Sequence, residues 1–378
     1  MAHHNPSLAI QTHFATLEDP RIHRSRLHDL MDIIVIAICA VICGAEGWHD
    51  IAKYALAKED WLRTFLALPN GIPSHDTFRR VFCILDPSAF HDCFQHWIDA
   101  LSEGLGLKRI AIDGKTMRRS FNRATGKAAL HLVSAWATEQ HLVLGQVAVD
   151  SKSNEITAIP KLLELLDISG AMVSIDAMGC QKEIAGKIRA GGGDYVLSVK
   201  DNQPNLLADI QQCFDTGLNT DFAGMEHSYH EEHYRAHGRE EKYCVHTILN
   251  PSGIRDEELW KDLKAITFVY SERQEQGKEK VVEARYYIGS RAAKAKSYAS
   301  FIRSHWGIEN GLHWVLDVCF DEDGSRMRTD HSPENMALLR RLALCLLKKH
   351  GGNGSIRGKR LQSGWNDEFL LEVLGCRK

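Results

Sequence analysis

The chain has 378 residues, 44% of them hydrophobic and 25% charged, with a formal net charge of -3. A chain of this length suits two or three structural units and buries a full core, so it needs neither disulfide nor metal staples. The slightly negative balance argues against a protein built only to coat nucleic acid.

Residues 1–105 read as helices. Leu27 to Cys43 is a strongly apolar helix; its core, Ile33 to Cys43, is too short for a membrane span. Glu46 to Leu66 follows with Trp48, Tyr54, Trp61 and Phe65 at helical spacing, which predicts that these aromatics are core. Ser74 suits an N-cap for a helix through Leu85, and Pro87 opens another through Leu105. The ten cysteines form no CxxC pair and the amino terminus shows no secretion signal, so free thiols in a reducing cytoplasm are expected.

The period changes after Gly106. Ile110 to Asp113 suits a buried strand ending in an acid, and Ala129–Ala137 and Leu142–Val149 are two further strands. A helix over Glu155–Leu166 precedes Met172 to Asp176, a second strand ending in an acid. Then come a helix over Gln181–Ala190, a strand over Tyr195–Val199 and a helix over Pro204–Phe214. This is a mixed α/β order, the one expected of a ribonuclease-H-like sheet. Between about 217 and 292 the alternation breaks into four strands, a β-rich insertion. A long helix from Ala293 to about Val318 and another over Pro333–His350 complete a catalytic domain drawn at 106–378. From Arg340 onward, Arg340, Arg341, Lys348, Lys349, Arg357, Lys359, Arg360, Arg377 and Lys378 outnumber Asp367, Glu368 and Glu372. That segment reads as a solvated basic end or as a DNA-facing one.

Asp113 and Asp176 carry the chemical argument. An acid at the end of a buried strand is costly to desolvate without a partner, and two carboxylates brought together favour a divalent cation between them. Glu309 supplies a third acid. At 100° per residue it shares a helix face with Ile302, His305, His313 and Leu316. Trp306 and Trp314 flank it and are read as core rather than as base-stacking groups. Lys115, Arg118, Arg119 and Arg123 follow the first acid closely, as a solvated loop or as phosphate contacts.

Three stretches, Ile110 to Ser120 (IAIDGKTMRRS), Ser174 to Asn205, and Arg303 to Arg328 (RSHWGIENGLHWVLDVCFDEDGSRMR), together resemble the H-repeat-associated group of bacterial insertion-sequence transposases, within the DDE superfamily. The resemblance runs from about Asp19 to about Lys349. It implies that Asp113, Asp176 and Glu309 are the catalytic triad holding two Mg²⁺ or Mn²⁺ ions. It further implies a ribonuclease-H-like catalytic domain with a β insertion between the second Asp and the Glu. The expected activity is cleavage of double-stranded DNA at the element's terminal repeats and joining to target DNA, by a protein that dimerises when it holds two ends. The helical amino-terminal domain is the candidate for reading those ends. Lys200 and Asn202, and His237 and Arg239, resemble further family features and are candidate DNA contacts. Many relatives carry Tyr, Arg and Lys where this chain has Ile302, His305 and Leu316, so the cation that meets the DNA phosphate near Glu309 is open among His305, His313, Arg326 and Arg328.

Two other readings stand beside this one. His305, Glu309 and His313 at i, i+4 and i+8 suit zinc, although a zinc hydrolase leaves the two strand-end aspartates unexplained. A catalytically silent or recruited DNA-binding protein derived from a transposase is the alternative that is not an enzyme.

Overall fold

An apolar helix surrounded by others anchors the amino-terminal half. Every residue of α1 (Leu30–Ile42) except Met31 is buried, as expected of a helix that is hydrophobic all round. The Asp29 carboxylate caps it, accepting the amide of Met31 at 2.7 Å. The computed structural model describes residues 12–102, 106–121, 126–149, 153–236, 239–275 and 277–375. The single helix expected over Glu46–Leu66 is two, α2 (Trp48–Ala57) and α3 (Glu59–Leu62). They divide at Lys58, whose ammonium reaches Asp367 at 2.7 Å. Of the aromatics there, Trp48 is buried, while Tyr54, Trp61 and Phe65 are partly buried against the core. Helix α4 (His75–Ile84) starts at Ser74, whose hydroxyl accepts the Thr77 amide at 3.2 Å. Helix α5 (Pro87–Ser102) follows.

A mixed nine-stranded sheet forms the other half, in the order β3-β2-β1-β4-β5-β9-β8-β7-β6. Its first five strands are β1 (Arg109–Thr116), β2 (His131–Ala137), β3 (Leu142–Ala148), β4 (Met172–Ile175) and β5 (Asp194–Val199). β1 runs antiparallel to β2 and parallel to β4. The insertion strands are β6 (Glu226–Ala236), β7 (Arg239–Leu249), β8 (Ala265–Glu275) and β9 (Val281–Gly289). They do not form a separate sheet: β9 pairs with β5, Val196 opposite Gly289, and extends the first one. Gly289 is needed there because a Cβ would lie 2.2 Å from the Tyr298 hydroxyl.

Register fixes the level of the two acids. Ile112 pairs with Ile175 across the parallel strands, so Asp113 and Asp176 are the next residues on adjacent strands. Such strands lie roughly 4.8 Å apart. Side chains alternate, so Ala111, Asp113 and Lys115 share one face with Ser174 and Asp176. That face receives α9 (Ala295–Ile308), while α6 (Glu155–Glu164) packs on β2 and β3 and α7 (Lys182–Ala190) on β5. Helix α8 (Pro204–Asn219) leads from β5 into the insertion.

The long helix expected from Ala293 to Val318 is interrupted. A π turn over Glu309–His313 separates α9 from α10 (Trp314–Phe320). After it, α11 (Ser332–Lys349) packs on α1, α4, α5 and β3 together. One buried cluster accordingly runs from Phe14 to Leu374.

The basic carboxyl-terminal segment is not a solvated end. It forms α12 (Ile356–Trp365) and α13 (Asp367–Val373), and Arg340, Arg341, Lys359 and Arg360 are buried. Arg341 pairs with Glu322 at 2.7 Å with both side chains fully enclosed. Arg360 donates to the Val41 carbonyl at the end of α1, and Lys359 to the carbonyls of Leu347 and His350. These cations cap helix ends and pair internally, a use that composition alone does not distinguish from DNA contact. Arg377 and Lys378 lie outside the described residues.

Candidate active site

Asp113, Asp176 and Glu309 line one pocket of about 350 Å³, together with Ser174, Ser198, Lys200, Arg285, His305 and Trp306. Asp113 arrives from within β1, which continues past it to Thr116 rather than ending at the acid as expected, Asp176 from just beyond the end of β4, and the glutamate from the helix laid across them. Two glycines allow that helix to lie close to the sheet. A Cβ at Gly307 would stand 2.7 Å from the Thr138 Cγ2, and one at Gly311 would stand 2.9 Å from the Trp136 ring. Asp176 also starts a 3-10 turn, its Oδ1 accepting the Met178 amide at 3.0 Å. The segment after β5 braces that turn: Asn202 donates to the Ala177 carbonyl at 2.7 Å and Gln203 to the Cys180 carbonyl at 2.9 Å.

The acids are crowded. Burial, then the charge of Glu309, pushes the Asp113 carboxyl up to about 8. Glu309, half-exposed, is held below its ordinary range by the His313 imidazole beside it. Near neutrality, therefore, Asp113 is the protonated member of the pair. A carboxyl that takes up a proton to relieve its neighbour's charge is one that a divalent cation relieves instead. Ligand atoms of Asp113, Glu309 and His313 lie within 4.8 Å of one another. On their chemistry and spacing these groups fit such an ion.

The remaining candidates separate into three groups. Lys115 is buried: its ammonium sits 2.7 Å from Asp317 and 3.0 Å from Asp323. It ties β1 to α10 and the loop after it, which removes it from the DNA-facing set. Asn202 is committed to the Asp176 turn, and Arg328 donates to the Arg119 carbonyl and covers Phe121. Arg118, Arg119, Lys200 and Arg326 are exposed, Arg118 leaning on Asp323 at 3.2 Å. Arg303 is sandwiched between Tyr234 and Tyr243 and faces Glu232, and so latches α9 to the insertion. His237 and Arg123 fall outside the described residues, and of Arg239 only the backbone is described, opening β7.

Two expectations are corrected. Trp306 and Trp314 are not core: they are 49% and 58% exposed. His305 does not join a zinc-like set with Glu309 and His313; its Nδ1 lies 3.1 Å from the Ser174 hydroxyl. The π turn, which no residue type announces, is the feature that sequence periodicity missed. Such turns recur at functional sites.

Residues 104–346 match the family model described as "Transposase DDE domain", and residues 11–98 match one described as "DDE_Tnp_1-associated". The chain is 38% identical to the H repeat-associated putative transposase YhhI of Escherichia coli (strain K12), over 97% of each. It is 39% identical to the putative transposase YncI of Escherichia coli O157:H7, over 96% of this chain and 93% of that one. Among solved structures, a piggyBac transposase synaptic complex with hairpin DNA aligns with 98% of this chain and 81% of its own, at TM-score 0.46 and 11% identity. No helix among the described residues is long and apolar enough to cross a membrane. The chain belongs to the DDE transposase family, among the H-repeat-associated putative transposases.

Proposed function

We propose that this protein is a transposase that cleaves DNA at insertion-sequence ends and joins them to target DNA, with Asp113, Asp176 and Glu309 holding two Mg²⁺ or Mn²⁺ ions. The observation that carries this reading is the convergence of the three carboxylates on one pocket from two adjacent parallel strands and a helix laid across them. The order β3-β2-β1-β4-β5, antiparallel on one side of β1 and parallel on the other, supports a ribonuclease-H-like core.

Divalent ions at these carboxylates would activate a water or a DNA 3′-hydroxyl and stabilise the leaving oxygen. The chain's own groups do the positioning. Asn202 and Gln203 fix the Asp176 turn, Lys115 ties the Asp113 strand to the helix that follows Glu309, and Gly307 and Gly311 set how closely that helix approaches. Lys200, exposed at the pocket, would meet a phosphate, with Arg118, Arg119 and Arg326 as further contacts to the DNA backbone. Residues 1–105 are assigned to recognition of the element ends, residues 106–378 to catalysis, and the DNA-bound form to a dimer that holds two ends.

The test is nicking of DNA that carries the ends flanking this gene, in Mg²⁺ or Mn²⁺, with wild type beside Asp176→Ala. Metal-dependent cleavage lost in the variant is expected. Binding without cleavage by wild type would favour a DNA-binding protein derived from a transposase, and cleavage that survives the substitution would reassign the carboxylates.

A further inference from the structure

His313 is a buried group beside these carboxylates that the carboxylate mechanism leaves unused. Its side chain is 6% exposed, with Nδ1 3.5 Å from an Asp113 oxygen and 3.7 Å from a Glu309 oxygen. Both separations exceed a normal N–H···O hydrogen bond of about 2.7–3.2 Å. Its Nε2 is buried with no hydrogen-bond partner. A ring enclosed in protein with neither nitrogen at hydrogen-bond distance is costly unless something else completes it.

A cation would complete it. Ligand atoms about 2.0–2.2 Å from one ion lie roughly 3–3.5 Å apart at neighbouring corners of an octahedron or tetrahedron. The Nδ1 distances to both carboxylates are at or just beyond that spacing, and a few tenths of an ångström of closure would seat the ion. The π turn opens at Glu309 and ends at His313, so the helix distortion is confined to the segment that presents these two groups to Asp113.

We propose that His313 is a direct ligand, through Nδ1, of a divalent cation held by Asp113 and Glu309, and that it makes this position select first-row transition ions such as Mn²⁺ over Mg²⁺. The inference rests on the proposed reading of the pocket as a metal centre and assigns one of its ligands. Nitrogen donors favour transition ions, whereas Mg²⁺ prefers oxygen ligands and retained water. Three carboxylates alone would discriminate less.

The experiment uses the full chain loaded with Mn²⁺ or Mg²⁺. Pulsed electron paramagnetic resonance of the Mn²⁺ form is expected to show ¹⁴N coupling of directly bound imidazole, replaced by ¹⁵N coupling when histidine is ¹⁵N-labelled. That measurement needs no variant. The coupling is expected to vanish in His313→Gln and to persist in His305→Gln. Calorimetry is expected to give His313→Gln a Mn²⁺ affinity weakened about ten- to hundredfold, with Mg²⁺ affinity changed less than about threefold. Bound Mn²⁺ without nitrogen coupling, or unchanged Mn²⁺ affinity in His313→Gln, overturns the assignment even if the protein nicks DNA. Nitrogen coupling in a protein that never nicks DNA keeps the ligand and removes the transposase reading. Failure of wild type to bind Mn²⁺ overturns both.

Discussion

Removing an acid from the pocket should stabilise the metal-free protein. In Asp113→Asn the carboxyl is replaced by an amide of the same shape. The native carboxyl titrates at about 8 against an ordinary 3.8. A group whose pKa is raised on folding contributes most below its unfolded value and loses that contribution as pH rises through its folded value. For wild type in a chelator the loss therefore runs from about pH 4 to about pH 8, and by pH 7 it amounts to on the order of 4 kcal/mol. Asp113→Asn escapes this loss and should melt roughly 5 °C higher at pH 7, with the gap closing towards pH 4. Mn²⁺ should raise the melting temperature of wild type by mass action and leave the variant where it was. The assay is thermal unfolding by circular dichroism between pH 4 and 8, with chelator or with Mn²⁺. A variant less stable than wild type at pH 7 without metal, or one that gains as much from Mn²⁺, would refute the argument that Asp113 is held against its neighbours for an ion.

Lys115→Met should destabilise the fold by about 2–4 kcal/mol, because it strands carboxylates that the ammonium now pairs. It should leave the salt dependence of DNA binding unchanged, whereas Arg118→Ala and Arg326→Ala should each lower the slope of log affinity against log salt by about 0.9. Breaking the enclosed Arg341–Glu322 pair with Glu322→Gln should cost about 3–5 kcal/mol; replacing both partners with methionine should recover most of it, as a double-mutant cycle in urea would show. Gly311→Ala drives a Cβ to 2.9 Å from Trp136 and should cost about 1–3 kcal/mol of overpacking. It should lower nicking at least tenfold with DNA affinity kept, since it displaces the helix that holds Glu309.

What could be read from the chain depended on whether a pattern is local. The apolar runs that lead into the acids, Ile110 to Asp113 and Met172 to Asp176, are visible in the chain, although β1 continues past Asp113 to Thr116, and their parallel pairing puts both acids at one level. The insertion strands are legible as four strand-like segments where the strand–helix alternation breaks, but not their attachment, because pairing β9 with β5 depends on contacts between residues about ninety positions apart. Charge was misread wherever burial reversed its meaning. Lys115 and the cations of α11 and α12 look like DNA contacts in one dimension, yet they hold helix ends and carboxylates in place.

The helix carrying Glu309 shows the same limit at the site itself. A wheel at 100° per residue puts His305, Glu309 and His313 on one face and makes them a plausible zinc set. The π turn changes the angle per residue after Ile308, and the outcome depends on where each ring then finds a partner. His305 stays with the Ser174 hydroxyl, and His313 turns to Asp113. Trp306 and Trp314, expected inside, stand in solvent on the same helix, Trp306 beside the acids with the Arg285 guanidinium 5.5 Å above its ring. Periodicity therefore gathers the candidate groups on one helix. Which of its histidines faces the carboxylates proposed to hold an ion is decided by a local departure from helical geometry that the packed glycines, Gly307 and Gly311, accompany in the sequence.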